Sequence, residues 1–301
     1  MVATIFVLGI LGLAVPARYY DHSAIMDLLE AIILAIIQGV TEFLPVSSSA
    51  HLNLAPYLFH WPDPGLTFDI ALHFGTLIAI LIYFYKDWLQ IVGQAFGLRA
   101  GSDAELSRNR NLLWLLVIGT IPGGIAGLLL EKYAETTLRS PILTGAMLIV
   151  FGLLMWVAER LGSKRRDIAS VTVRDALIVG CTQALAIVPG VSRSGSTISA
   201  GMLLGLDRLA AARFSFLLST PIIAGAALSA AHKLHKAGGL PPDMKVPMLV
   251  GVVVSALVGA GVIALFLNFL RRRTLIPFVI YRVIFGILVI ALALFRASHA
   301  G

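Results

Sequence analysis

Charge is scarce in this chain. Charged residues fill 13% of its 301 positions, about half the roughly 25% usual for soluble domains. With 58% apolar residues and a mean hydropathy of +0.91, a soluble fold would have to show water a largely apolar surface. That excludes an ordinary soluble enzyme, a disordered chain and a coiled coil. Cysteine is nearly missing as well. Cys181 stands alone, which excludes an intrachain disulfide framework and leaves any metal to non-thiol ligands. Acidic residues number 16 against 23 Lys and Arg, a net charge of +7. In a membrane chain that surplus belongs to cytoplasmic loops, so no nucleic-acid partner is expected. What remains is a polytopic, all-α helical membrane protein. The 28 glycines and 13 prolines suit packed or broken membrane helices.

Residues 66–85, 111–130, 141–159, 209–231, 246–270 and 275–295 are each near the ~20 needed to cross a bilayer core. Residues 27–60 and 175–206 differ. Each holds a short apolar helix, a Pro/Ser-rich break and a second short apolar stretch. The breaks read Leu44-Pro45-Val46-Ser47-Ser48-Ser49 and Val188-Pro189-Gly190-Val191-Ser192-Arg193-Ser194-Gly195. Backbone of this kind cannot face lipid, where each unpaired N–H or C=O costs several kcal/mol, but it is tolerated when buried in protein or lining a wet cavity. Both regions therefore predict re-entrant, broken helical hairpins.

The two regions align without a gap, pairing Gln38 with Gln183, Val46-Ser47 with Val191-Ser192 and Ser49 with Ser194. One residue further along, Phe68 falls on Phe214. This is the weak internal symmetry of a repeat, with halves of about 27–160 and 175–301, and paired broken helices point to a site near the midplane. Charge leads to the same topology. Placing Lys164-Arg165-Arg166 in the cytoplasm puts Lys86, Arg99, Arg108, Arg110, Arg160, Arg174, Arg208, Arg213 and Arg271-Arg272-Arg273 there too. Only Lys132, Arg139, Lys233, Lys236 and Lys245 fall opposite among these loops. The bias obeys the positive-inside rule. It makes the first hairpin enter from outside and the second from the cytoplasm, an inverted-topology repeat. Residues 1–25 sit apart as a signal-like or anchoring extension, and residues 26–301 form one membrane-embedded domain. The stretch 97–110 reads as a polar connection and nothing more.

Polar residues collect at the breaks. Glu42 is an acid in an apolar helix, with Gln38 one turn earlier on the same face. Ser47, Ser48, Ser49 and His51 follow. In the second hairpin Arg193 lies among Ser192, Ser194, Ser196 and Thr197. Ionisable groups inside a membrane are costly, so each is a functional candidate. The set suits phosphoryl transfer. Ser48 is a hydroxyl nucleophile in need of a base. His51 can remove its proton or protonate the leaving oxygen. Arg193 offers a rigid fork for phosphate oxygens. Gln38, Ser47, Ser49, Ser192, Ser194 and Thr197 are the candidate substrate-binding groups, the hydroxyls and turn N–H groups forming an anion nest. Glu42 can hold a divalent cation, Mg or Ca, orient His51 or act as a second base. Each has a plainer reading: the serines as small residues that let helices approach, His51 as a packing histidine, Glu42 as an interfacial acid. Asp69 and His73, four apart, read as helix–helix hydrogen bonding, with support of the site as the alternative. Arg282 reads as snorkelling to the cytoplasmic interface.

At these residues the sequence resembles the undecaprenyl-diphosphatase family, the integral membrane phosphatases linked to bacitracin resistance. Two motifs carry the resemblance: Gln38-Gly39-Val40-Thr41-Glu42-Phe43-Leu44-Pro45-Val46-Ser47-Ser48-Ser49-Ala50-His51, and Pro189-Gly190-Val191-Ser192-Arg193-Ser194-Gly195-Ser196-Thr197-Ile198. The run Phe214 to Leu218 and the stretch Ile276 to Arg282 are also similar to the family. The resemblance implies removal of the terminal phosphate from a C55 isoprenyl diphosphate, so that the lipid monophosphate is reused in cell-wall synthesis. It also implies a divalent-cation requirement and a bacterial cytoplasmic-membrane site facing the periplasm or cell exterior, in a chain surrounded by membrane lipids and compatible with a homodimer. By motif position it makes Glu42 the acidic site residue, Ser48 the proposed nucleophile, His51 the acid/base and Arg193 the phosphate clamp. Many members carry Glu where this chain has Gln38, which leaves one carboxylate at that turn. The rival class is a flippase for the monophosphate carrier, since inverted repeats with broken helices are also a transporter plan. A carrier needs an anion clamp but neither nucleophile nor proton shuttle, so Ser48 and His51 discriminate.

Overall fold

The computed structural model describes residues 27–98, 101–136, 138, 140–236 and 239–299; the extension expected over residues 1–25 lies outside them. Asp27 starts the first helix, α1 (Leu28–Thr41). Its carboxylate accepts from the Leu29 N–H at 3.2 Å, and Glu30 accepts from the Asp27 N–H at 3.3 Å. These bonds satisfy donors that no helical carbonyl can reach. The chain leaves the helix over 42–47 and resumes as α2 (Ser48–Phe59). Then come α3 (Gly65–Tyr83), α4 (Tyr85–Ala95), α5 (Ala104–Arg108), α6 (Leu112–Thr136) and α7 (Pro141–Leu161). The opening figure recurs next. Thr172 and Asp175 cap each other at the start of α8 (Val173–Leu185), the helix breaks, and α9 (Arg193–Leu203) follows. The helices α10 (Arg208–Lys236), α11 (Lys245–Leu270) and α12 (Ile276–His299) complete an all-α chain, with no strand among the described residues.

Six helices are long and apolar enough to cross a bilayer: Gly65–Tyr83, Leu112–Leu130, Pro141–Leu161, Arg208–Lys236, Pro242–Leu270 and Ile276–His299. They coincide with the spans expected from hydropathy. Their outer faces carry mostly exposed leucines such as Leu128, Leu228, Leu257 and Leu265. Such a surface is an aggregation liability in water and the normal solvent-facing side in lipid. The chain is a multi-pass membrane protein. Three of the six spans separate the α1–α2 hairpin from the α8–α9 hairpin, so the two hairpins approach from opposite faces.

Packing repeats the sequence symmetry. Helix α1 lies against α11, and α8 against α6. Helix α3 packs on α11, and α10 on α6. The pairs α3–α10 and α7–α12 join the halves. Exchanging α1 with α8, α3 with α10, α6 with α11 and α7 with α12 returns this pattern, as an inverted repeat requires. Close approach depends on glycine at the α6–α8 crossing, where a Cβ on Gly180 would meet the Gly119 carbonyl oxygen. Backbone cannot step aside as a flexible side chain can. Gly180→Ala is therefore expected to destabilise the protein by about 1–3 kcal/mol, read as a lower melting temperature in detergent. An unchanged melting curve would show that the helices part at little cost.

The loop face that the charge rule assigns to the cytoplasm is laced with ion pairs. Arg213 meets Asp87 at 2.7 Å and Asp103 at 2.9 Å. Glu159 takes Arg208, Lys164 and the Leu275 N–H. Arg166 grips Asp175 through both guanidinium nitrogens, at 3.1 and 2.5 Å. Asp103 corrects one expectation: the stretch 97–110 does more than connect. Gln90 pins its backbone through Asp103 at 2.8 and 3.0 Å, which aims the carboxylate at Arg213.

Candidate active site

Both breaks end on a serine in the left-handed region, Ser47 at φ 74° and Ser192 at φ 68°. Positive φ is uncommon outside glycine and persists where the surroundings over-determine it. Each serine caps the helix it starts. Ser47 Oγ accepts from the Ala50 N–H at 3.4 Å, and Ser192 Oγ accepts from the Gly195 N–H at 3.1 Å. These are positions that the ungapped alignment superimposes. The breaks also hold each other. The Gly190 N–H donates to Ser47 Oγ at 3.2 Å, and Ser194 Oγ donates to the Leu44 carbonyl at 3.2 Å.

Arg282 ties them a second time. Its guanidinium donates to Pro45 O at 3.2 Å, Gly190 O at 2.7 Å, Val191 O at 3.0 Å and, from Nε, Leu148 O at 3.2 Å. It is fully buried, which overturns the expectation that it snorkels. A broken helix leaves carbonyls without N–H partners. The two breaks supply three of these acceptors, Pro45, Gly190 and Val191, and α7 adds Leu148, so burial there outcompetes the reach to the interface.

Glu42 lies where the hairpins meet. Its side chain is 3% exposed, yet four groups converge on it. Oε1 accepts from Arg193 Nη2 at 2.8 Å. Oε2 accepts from Gln38 Nε2 at 3.0 Å and from Ser48 Oγ, and His73 Nε2 stands 3.4 Å away. One carboxylate thus gathers α1, α2, α3 and α9. Two polar atoms in this cluster are buried without a hydrogen-bond partner, Arg193 Nη1 and Gln38 Oε1. Buried polar atoms are normally paired, so this donor and this acceptor are left with bonding capacity that a polar ligand can meet.

The structure brings Gln38, Glu42, Ser48 and Arg193 together. Ser49 Oγ lies 3.2 Å from Ser47 Oγ, and Ser192 Oγ lies 3.4 Å from Ser194 Oγ. Thr197 Oγ1 donates to Arg193 O at 2.7 Å and pairs with Ser215 at 2.6 Å. These hydroxyls are engaged in building the breaks. His51 points elsewhere. Its Nδ1 donates to Ser47 O at 2.7 Å, and its Nε2 lies 2.6 Å from the Tyr281 hydroxyl; the partner of Ser48 Oγ is Glu42. Sequence reasoning gave His73 support of the site only as the alternative reading, and gave Tyr281, the partner of His51, no role. His73 follows that alternative, its Nε2 beside Glu42, while its Nδ1 bonds the Asp69 carbonyl at 2.7 Å. Tyr281 gave no local signal, because its partner is 230 positions away.

A family profile described as Bacitracin resistance protein BacA matches residues 31–288, a stretch that contains both breaks, Tyr281 and Arg282. The chain belongs to that family. Curated relatives agree in length and order. An undecaprenyl-diphosphatase of Trichlorobacter lovleyi is 54% identical over 89% of this chain and 97% of its own. Relatives of the same name from Moorella thermoacetica and Gemmatimonas aurantiaca are 48% and 47% identical, each over 88% of this chain and 98% of their own. Relatives of that name thus match nearly nine-tenths of this chain over almost their own full length.

Proposed function

We propose that this protein is an undecaprenyl-diphosphate phosphatase: it hydrolyses the C55 isoprenyl diphosphate to the monophosphate and inorganic phosphate, recycling the carrier for cell-wall synthesis and conferring bacitracin resistance. The observation that carries the reading is the hydrogen bond of Ser48 to a carboxylate that also binds Arg193. A hydroxyl becomes a nucleophile when a base takes its proton, and Glu42 is in place to do so. In this reading Ser48 Oγ attacks the terminal phosphorus as its proton passes to Glu42 Oε2. The P–O bond to the lipid monophosphate breaks, and water then cleaves the phosphoserine, with His51 serving as acid/base. Arg193 neutralises the phosphate oxygens, chiefly through Nη1. Positioning and charge neutralisation supply most of the rate in such a transfer.

A divalent cation fits this donor set. Among the described residues no three His, Cys, Asp or Glu side chains cluster as a cage. A hard cation that enters with diphosphate needs few protein oxygens, because phosphate and water supply the rest. Glu42 and the unpartnered Gln38 Oε1 are the two that would hold it, and bound there it would offset charge on the phosphates. The membrane is the bacterial cytoplasmic membrane, with the site facing the periplasm or cell exterior, since the first hairpin enters from the face poor in Lys and Arg. The isoprenyl tail lies among the apolar helices. The flippase alternative is not favoured, because the relatives are named for hydrolysis and the cluster holds a base on a hydroxyl.

The test is phosphate release by purified, detergent-solubilised protein given a C55 or C15 isoprenyl diphosphate, with and without a chelator. Ser48→Ala and Arg193→Ala are expected to lose release roughly a hundredfold or more, and chelation to stop the wild type. No release by the wild type with cation present overturns the phosphatase reading. An active Ser48→Ala variant removes the nucleophile assignment alone and gives that role to water.

A further inference from the structure

The geometry points to Tyr281 as a catalytic residue, the substrate-facing end of a proton relay through which His51 acts. This inference rests on the phosphatase reading above. The bonds around His51 fix its tautomer. A carbonyl oxygen only accepts, so Nδ1, 2.7 Å from Ser47 O, carries hydrogen. In the neutral ring Nε2 is then the acceptor, and the Tyr281 hydroxyl, 2.6 Å away, donates to it. Both ring nitrogens are engaged, the residue is 2% exposed, and Phe285 stacks on the ring at 4.8 Å and 19°. His51 therefore presents no open nitrogen to a substrate.

Tyr281 does. Its ring runs nearly parallel to that of His51, 5.8 Å away at 10°, and it is 36% exposed. A phenol oxygen that donates one hydrogen bond still accepts another. When water attacks phosphorus, its proton passes to the Tyr281 oxygen while the phenol proton passes to His51 Nε2. The P–O bond to water forms as the P–O bond to Ser48 Oγ breaks, Glu42 returns the proton it took to the leaving serine oxygen, one water O–H bond breaks, and the phenol is regenerated. The imidazolium is the net proton acceptor, held by the Ser47 carbonyl until it returns the proton to solvent. No tyrosinate accumulates, and no other reactant is needed. The arrangement separates two bases: Glu42 serves Ser48, and the Tyr281–His51 pair serves water.

Tyr281→Phe keeps the stacked ring and deletes only the relay. With a C15 isoprenyl diphosphate and cation, kcat is expected to fall about a hundredfold with KM within about threefold. His51→Gln should give a similar kcat, and the double variant no further loss, because residues acting as one unit are non-additive. The solvent deuterium effect on kcat separates a relay from mere packing. A two-proton relay gives the wild type a curved proton inventory, and Tyr281→Phe a linear one. A wild-type kcat in Tyr281→Phe, a raised KM alone, or losses that multiply in the double variant overturns the relay while leaving the phosphatase reading intact. A wild type that releases no phosphate overturns that reading instead.

Discussion

Glu42→Gln is expected to lower phosphate release from an isoprenyl diphosphate roughly a thousandfold and to lower the melting temperature as well. The substitution preserves shape, so the effect isolates charge and proton acceptance. The amide keeps one acceptor oxygen and replaces the other with an NH2, which then faces either Gln38 Nε2 or Arg193 Nη2, a donor in both cases. Arg193, whose side chain is 14% exposed, keeps its charge but loses its anion. Breaking one side of a buried pair costs about 3–5 kcal/mol, because the remaining ion stays desolvated. Adding Arg193→Gln removes that orphan charge. The double variant should regain much of the stability and none of the activity, a split that ordinary misfolding does not produce. Phosphate release and detergent melting on the same preparations check both halves. Activity above about a tenth of wild type in Glu42→Gln would mean that Ser48 needs no anionic base.

The second large effect is expected at Arg282. Arg282→Met removes the donors to four carbonyls drawn from α7 and both breaks. Two terms oppose each other. Deleting a buried guanidinium relieves its desolvation. Stranding buried carbonyls costs about 1–3 kcal/mol each, and several stay stranded because Gly190 and Val191 lie in the turn that fixes Ser192. The carbonyl term wins, for a net loss of about 2–4 kcal/mol. Activity should fall more than tenfold even where the protein stays folded, since the breaks drift relative to each other and proximity effects decay over an ångström. Arg282→Lys retains the charge but cannot span four acceptors, so it should recover little. A lysine variant as active as wild type would show that charge, not the fork, is what matters.

The fold was legible because its signals are local. Runs of about twenty apolar residues, prolines beside serines, and Lys/Arg bias each act within a window, and Val46-Ser47 on Val191-Ser192 sufficed to align the two breaks. The candidate site was legible to the extent that its members are anomalies: Glu42 and Arg193 stand out because acids and guanidinium groups are rare in membrane helices. Arg282 is as anomalous, yet it reads wrongly, since the carbonyls that hold it belong to backbone and leave no trace in side-chain pattern. His51 shows the same limit. Its chemistry depends on which ring nitrogen carries hydrogen, and that is decided by Ser47 O and by Tyr281, a residue 230 positions away. His73 is legible only as the second of two readings: spacing from Asp69 marks a helix face but not which neighbour that face meets.

The site's parts leave the ribosome in chain order. Glu42 and Ser48 emerge with the first hairpin, Arg193 with the second, and Tyr281 and Arg282 only with the final helix, α12. A nascent chain stalled before α12 has its acid, its hydroxyl and its clamp, but not the fork that holds the turns in register. The register of the two breaks is thus completed only by the last helix.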